Sequence, residues 1–461
     1  MSSFRPIVNS WDVFDTLLTR FVPEPMQVFD LIEKRAPGFK ALRLGAQMAL
    51  DKLGKPYVIY DIYAKMRELG LESAMSRALL REELAVERSL MLPIRRAVRQ
   101  VAPSDLIISD MYLSGEIIQA LLAEVCGLHG QYPIVRSNWG KHSGTIWPKL
   151  LERYVIRTHY GDNPAADGEI PRAFGIDTGL CRDIDPTPWE AGLREAGLIQ
   201  LSLLQREARL RTLPEPAGPF ETLACGPYLT LLAALAARLV EEFGEDAHFV
   251  FLSRDGDDFG AVFRALFPAV SCANADVSRR LARDAEMGPV FAEILKPGCV
   301  LVDGVSTGRS LRALLERIGT QDRRFAVLLF LDTLLSAEDQ AAFTGTALFR
   351  ASEFGGHHHA LELLLQSPYP PVMGLGFDAA SGGLVRRFGH AELAGDEAAR
   401  IGTKTELVSA FCRAILLRGL TPLTSAQTGL LLKSSLAAIL GSGLPPALFP
   451  SFIAREKFAP F

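Results

Sequence analysis

Ser10-Trp11-Asp12-Val13-Phe14-Asp15-Thr16-Leu17-Leu18 is the stretch on which the fold turns. A short apolar run leads into it, so it reads as a strand, a loop and the start of a helix. Asp12 stands at the strand's tip, where a carboxylate is able to accept a phosphoryl group and split a hard displacement into two steps. Thr16 brings a hydroxyl suited to a phosphate oxygen. Downstream, strand character returns at Leu106-Ile107-Ile108, which ends in Ser109-Asp110, and again over 132–136 and 155–160. A helix-rich block fills about 25–101. Its clearest segment, Ser76 to Leu90, sets Ala78, Leu79, Leu84 and Leu90 among charged residues at helical spacing. Alternating strands and helices predict a mainly parallel sheet that binds ligands at the carboxyl ends of its strands.

Two further pieces suit phosphate chemistry. Lys141, in Gly140-Lys141-His142-Ser143-Gly144-Thr145-Ile146-Trp147, supplies a cation to offset charge developing on phosphate. Lys149 competes for that role, but only Lys141 has an aromatic residue six positions on. His159-Tyr160-Gly161-Asp162-Asn163-Pro164-Ala165-Ala166-Asp167 closes a strand with two carboxylates, hard oxygen ligands of the kind Mg²⁺ prefers. Taken singly, Thr16 and Ser109 read as helix caps, and Asp110 and Asp167 as solvated caps.

Together the four pieces resemble, in order and spacing, the four motifs of the haloacid dehalogenase (HAD) superfamily of phosphohydrolases. The resemblance covers about residues 5–185 and implies a Rossmann-like HAD domain over 1–185 with a helical C1-type cap over about 20–101. Position by position, it makes Asp12 the nucleophile and a Mg²⁺ ligand, and Thr16 and Ser109 phosphate binders. Lys141 becomes the charge-balancing lysine. The metal would be held by Asp12, the Phe14 backbone carbonyl and Asp162, with Asp167 in support. The chain departs from the pattern at one place. Phe14 stands where phosphatases of this superfamily carry an acid–base aspartate, help commonly worth ~10²–10⁴-fold. Asp15 takes the usual glycine position, and would substitute only if its backbone turned it inward.

Leu213-Pro214-Glu215-Pro216-Ala217-Gly218-Pro219 is the clearest linker, and 186–219 reads as an amphipathic helical connector ending in it. Beyond it, strands over 248–252, 299–302 and 326–331 predict a second α/β domain over 220–375, followed by a helical region over 376–461. The first of these strands enters Ser253-Arg254-Asp255-Gly256. The second enters Asp303-Gly304-Val305-Ser306-Thr307-Gly308-Arg309-Ser310, a small-residue loop whose N–H groups favour phosphate. The pair resembles the diphosphate and phosphoribosyl loops of type I phosphoribosyltransferases. That resemblance implies ligand contacts from Arg254, Asp303, Thr307, Gly308, Arg309 and Ser310. Asp303-Gly304 replaces the family's acidic pair, and the loop is one residue short, which favours a phosphate- or nucleotide-sensing domain over an active transferase.

The whole chain is also similar to a bacterial group of HAD proteins with a phosphoribosyltransferase-like second domain, associated with surface-polysaccharide synthesis. The shared pieces are residues 14–18, 109–113, 253–256, Ser278-Arg279-Arg280, and Leu361-Glu362-Leu363-Leu364 before Ser367-Pro368.

Composition sets the outer limits. Of 461 residues, 48% are apolar and 22% charged, ordinary globular values that exclude wholesale disorder. A net charge of −4 gives no basic footprint, so nucleic acid is an unexpected partner. Leu229 to Val240 is the most apolar run, interrupted by Arg238 and too short to cross a bilayer. No apolar signal core opens the chain, and six scattered cysteines form no C-x-x-C pair, so the expectation is a cytoplasmic enzyme acting on a small phosphorylated metabolite. His357-His358-His359 invites a metal, yet neighbouring histidines ordinarily diverge and no acidic partner stands at an evident ligand spacing, so a loop or helix start is the expectation. Tyr57, Tyr60 and Tyr63 at spacing three suggest one face of a cap helix.

Overall fold

A computed structural model of the chain describes residues 5–130, 132–136, 140–253, 255–277, 281, 284, 287–318, 323–355, 358–370, 372–378, 383–389, 395–444 and 448–449. The chain divides into two units, Met1–Pro186 with Leu213–Pro216, and Thr187–Thr212 with Ala217–Phe461.

In the first unit the strands are β1 (Ile7–Trp11), β2 (Leu18–Arg20), β3 (Met91–Pro93), β4 (Leu106–Ser109), β5 (Ile134–Arg136), β6 (Val155–Gly161) and β7 (Asp177–Leu180). Five form a wholly parallel sheet in the order β5-β4-β1-β6-β7. Strands covered on both faces need apolar runs rather than alternation, and all four residues of β4 are buried. Val8, Leu106, Ile108, Trp147, Leu150, Ile156 and Ile176 pack as one core on this sheet. Strand order reverses at β1, so the crevice at the carboxyl ends of β1 and β6 is the fold's natural ligand site.

The helical insert leaves and rejoins the sheet domain through an antiparallel neck, β2 against β3. Its helices are Gln27–Glu33, Phe39–Asp51, Ile59–Glu68 and Ser73–Leu90. At their centre the fully buried Arg43 grips Glu83 through Nε and Nη2. Its guanidinium lies 4.9 Å from the Phe29 ring centroid and 4.8 Å from that of Tyr112, and Tyr63 donates to the same carboxylate at 2.8 Å. Tyr112 follows β4, so this cation ties the insert to the sheet domain. The three tyrosines do not share a face: Tyr57 bonds Asp51, Tyr60 is exposed and Tyr63 is buried.

The second unit begins earlier than the linker suggests. Helix Ile199–Thr212 is not an amphipathic connector, because it is buried on nearly every side. Its charged groups are neutralised in place, with Arg209 on Glu190 and Arg211 on Glu207, each at 2.8 Å. The strands are β8 (Phe249–Ser253), β9 (Cys272–Asp276), β10 (Val300–Ser306), β11 (Arg324–Phe330) and β12 (Thr346–Arg350). They form a second parallel sheet in the order β12-β11-β10-β8-β9, a doubly wound order whose switch point lies between β8 and β10. An antiparallel pair, β13 (Val372–Asp378) and β14 (Gly383–Phe388), precedes helices Asp396–Arg418 and Ser425–Leu440. The region from 376 is therefore not wholly helical. Helix Pro219–Phe243 spans 25 residues, longer than its apolar run implies and enough by length to cross a bilayer, but 83% of its most apolar window is buried within the fold.

Removing one partner of a buried ion pair leaves an uncompensated charge, at a cost of about 3–5 kcal/mol. Glu83→Ala, which orphans Arg43, should lower stability by that order in urea unfolding followed by tryptophan fluorescence. An unchanged midpoint would contradict the central role given to this pair.

Candidate active site

Asp12 directly follows β1 and continues its ladder, its N–H donating to the Tyr160 carbonyl at 2.8 Å. Ser109 is the last residue of β4, and Asp162 follows β6. The short helix Gly140–Ser143, after β5, carries Lys141. The first-unit candidates thus gather at one end of the sheet, at its switch point.

The Lys141 ammonium bonds Asp12 Oδ1 and, at 2.8 Å, Asp167 Oδ1. All three side chains are buried, whereas Lys149 is exposed. Thr16 Oγ1 lies 3.4 Å from Asp12 Oδ2. Ser109 Oγ accepts the Met111 N–H at 3.2 Å, which leaves its own proton to donate. One oxygen each from Asp12, Asp162 and Asp167 falls within 4.8 Å of the others.

Three supporting features escape a sequence reading. His159, fully buried, pairs through Nε2 with Asp167 Oδ1 at 3.0 Å and through Nδ1 with Ser10 Oγ at 2.8 Å, fixing the carboxylate from behind. Asp110 accepts the N–H groups of Lys141 and His142, each at 3.4 Å, and so caps the helix that carries the lysine. Gly161 is required by space, because a Cβ there would overlap the Asp167 carboxyl group. The signals for these were a histidine inside a strand, an aspartate next to the serine, and a glycine before Asp162.

Electrostatics follow from burial and from an excess of carboxylates. Burial pushes Asp12 up to about 7, with Asp167 and Asp162 adding to it while Lys141 opposes. Asp162 rises to about 6, first through burial and then through Asp15 and Asp167. Burial would raise Asp167 as well, but its bond to His159 and the charge of Lys141 outweigh that and hold it at about 2. Burial lowers His159, which keeps the ring neutral. Lys141 bonds two of these three carboxyl groups, and together they gather hard oxygen donors at one place. That donor set suits a hard divalent cation.

Phe14 and Asp15 are held differently. The Phe14 ring lies under the Arg20 guanidinium, 5.0 Å from its centroid, and Arg20 is paired with Glu87 of the insert. Asp15 is the one non-glycine residue with a left-handed backbone among those described, at φ 59°. Thr19 Oγ1 donates to its Oδ1 at 2.6 Å, and its charge raises Asp162. A strained backbone of this kind persists only where its surroundings over-determine it.

In the second unit β10 runs through Ser306, because its ladder with β11 pairs Asp303 with Val327 and Ser306 with Phe330. Asp303 is therefore a strand residue and not part of a loop; its carboxylate accepts the Gly304 N–H at 2.9 Å. Thr307 and Gly308 make the turn, Gly308 at φ 72°, and Arg309 and Ser310 open helix Arg309–Arg317. Arg309 pairs with Asp339 on the surface at 2.5 Å. Asp255 Oδ2 accepts the Val305 N–H at 3.3 Å, and a Cβ on Gly304 would come within 2.8 Å of the Asp255 Cβ. Arg254, Ser278, Arg279, Arg280 and Arg283 lie outside the described residues.

Comparison of the chain with family models and with curated proteins found no match.

Overfilling a packed site costs typically about 1–3 kcal/mol. Gly161→Ala should therefore destabilise the first unit by that order, as Asp167 is driven from its place between Lys141 and His159. Urea unfolding of the variant checks this, and wild-type stability would refute the packing argument.

Proposed function

We propose that the first unit is a HAD-type phosphohydrolase acting on a small phosphorylated metabolite, a sugar phosphate or nucleotide, in the cytoplasm. The observation that carries this reading is the buried Asp12, bonded to Lys141 at the switch point, with Asp162 and Asp167 within ligand distance of it.

In the proposed reaction Asp12 attacks the phosphorus in line, and the P–O bond to the leaving group breaks with its electron pair going to the departing oxygen, which takes a proton from solvent. Water then cleaves the aspartyl-phosphate to give phosphate, a proton and the regenerated carboxylate. Thr16 and Ser109 donate to phosphate oxygens, and Lys141 balances the charge that builds on them. Asp12, the Phe14 carbonyl and Asp162, supported by Asp167, are the groups that would hold Mg²⁺, which supplies charge neutralisation and phosphate orientation. An insert acting as a cap over the site would favour small substrates over long chains. With Phe14 in place of an acid, positioning and charge carry the transfer.

Phosphate release from a panel of phosphorylated metabolites with Mg²⁺, comparing wild type with Asp12→Asn, tests the reading. Turnover should vanish in the variant. No release from any substrate by folded wild type would sink it.

The absent acid makes a separate prediction. General acid help is worth ~10²–10⁴-fold, and a good leaving group does not need it. Aryl phosphates should therefore be cleaved about 10²-fold faster, or more, than alkyl phosphates bound equally well. Equal rates would mean that another group protonates the leaving oxygen.

A second reading applies to the other unit. Its two loops of interest follow β8 and β10, which flank a switch point, and this supports a phosphoribosyltransferase-like domain that binds phosphate or nucleotide. Calorimetry with phosphoribosyl diphosphate, on wild type and Gly304→Val, tests it.

A further inference from the structure

We propose that His358, His359 and Glu362 form a binding site for a borderline first-row divalent cation, Zn²⁺ foremost, in the second unit and separate from the carboxylate cluster of the first.

The two neighbouring imidazoles converge where divergence was expected. His358 precedes helix His359–Leu364 and His359 opens it, and their ring centroids lie 4.5 Å apart, tilted by 43°. Glu362, one helical turn on, meets both. Its Oε2 is 3.7 Å from His358 Nε2 and 3.6 Å from His359 Nδ1. One donor atom from each residue lies within 4.8 Å of the other two.

Those separations are too long for hydrogen bonds. They are close to the donor–donor edge of a tetrahedral ion, which is about 3.4 Å for metal–ligand bonds of ~2.0–2.2 Å. A second observation points the same way. Glu362 Oε2 is buried and has no hydrogen-bond partner among the described residues. A buried carboxylate oxygen without a hydrogen bond is costly, and a cation bridging it to the two imidazoles beside it removes that cost. Leu361, Leu363 and Leu364 are buried and fix the helix, while Leu365 packs close to Gly304.

The donor set selects the ion. Two imidazole nitrogens and one carboxylate suit Zn²⁺ and its neighbours, whereas Mg²⁺ prefers the all-oxygen set around Asp12. The His358 and Glu362 side chains are 11% and 21% exposed, but that of His359 is 51% exposed. The site is therefore open to solvent on one side, and a three-ligand site of this kind leaves a position for water or another ligand.

The test uses the full chain, freed of any affinity tag, with excess Mg²⁺ to occupy the acidic cluster. Co²⁺ alone, a spectroscopic stand-in for Zn²⁺, is titrated while visible ligand-field absorption is followed. One equivalent should produce intense bands that Zn²⁺ abolishes. His359→Ala, at a half-exposed position that spares the fold, and Glu362→Gln should each weaken binding by about tenfold or more. Asp12→Asn should leave the bands unchanged. The proposal fails if folded wild type gives no bands, if both variants bind as wild type does, or if Asp12→Asn abolishes the signal.

Discussion

One ammonium group shared by two buried carboxylates organises the first unit. Lys141 reaches Asp12 and Asp167 from a helix of only four residues, Gly140–Ser143, which has little stability of its own. Its position depends on Asp110, which caps that helix from the end of β4. Asp167 in turn depends on His159 behind it and on the missing Cβ of Gly161 beside it. The site is therefore assembled from four strand ends; Asp110 supports Lys141 from the neighbouring strand, whereas His159 and Gly161 support Asp167 from the strand that leads into it. Taking several carboxylates out of water is unfavourable unless charge is returned to them. Lys141 returns one positive charge to a cluster of three carboxyl groups, a set of hard oxygen donors.

Much of this was legible because parallel strands turn sequence order into spatial order. Asp12, Ser109 and Asp162 each stand at the end of a stretch with strand character, and parallel strands in one sheet end on the same side. Their proximity therefore follows from pattern alone. Side-chain supports such as His159 and Asp110 do not follow from pattern, since each depends on a neighbour more than thirty residues away (Asp110) or on the local turn that brings Asp167 back (His159). The same limit explains the errors in the second unit. Gln205, Arg206, Glu207 and Arg209 gave helix 199–212 an exposed look, yet ion pairs with Glu190 and within the helix let it be buried. Gly304, Val305 and Ser306 read as loop because small residues usually mark loops, but pairing with β11 holds them in a strand. Convergence of His358 and His359 on Glu362 is a matter of side-chain rotamers that no spacing rule encodes.

The two sheets use their switch points differently. In the first, three carboxylates and a lysine meet at the carboxyl ends of β1 and β6. In the second, the corresponding place is crowded by the side chains of Asp255 and Leu365 against Gly304. Asp255 approaches Gly304 so closely that any side chain there would collide with it, and the Asp255 carboxylate is engaged by the Val305 N–H. There the N–H groups of Gly304, Val305 and Gly308 are taken up by Asp303, Asp255 and Ser306, whereas the first site gathers carboxyl groups around an ammonium.

Phe14 ties the chemistry of the first site to its cover. Phosphatases of the proposed class place a carboxyl group here, and this chain places an aromatic ring under Arg20. Arg20 is buried and bonded to Glu87, a residue of the long insert helix Ser73–Leu90. The ring thus joins the loop that carries Asp12 to that insert helix, through a cation–π contact and an ion pair. Desolvation strengthens both contacts, because the charges have no water to compete for them. An aspartate at the same position would lose the stacking surface and bring a second carboxylate to an arginine already neutralised by Glu87. Phe14 is therefore coherent with the rest of the fold, because it supplies a fixed connection between the insert and the loop that carries Asp12. Two desolvated contacts in series, ring to guanidinium and guanidinium to carboxylate, tie the insert to the loop that follows β1.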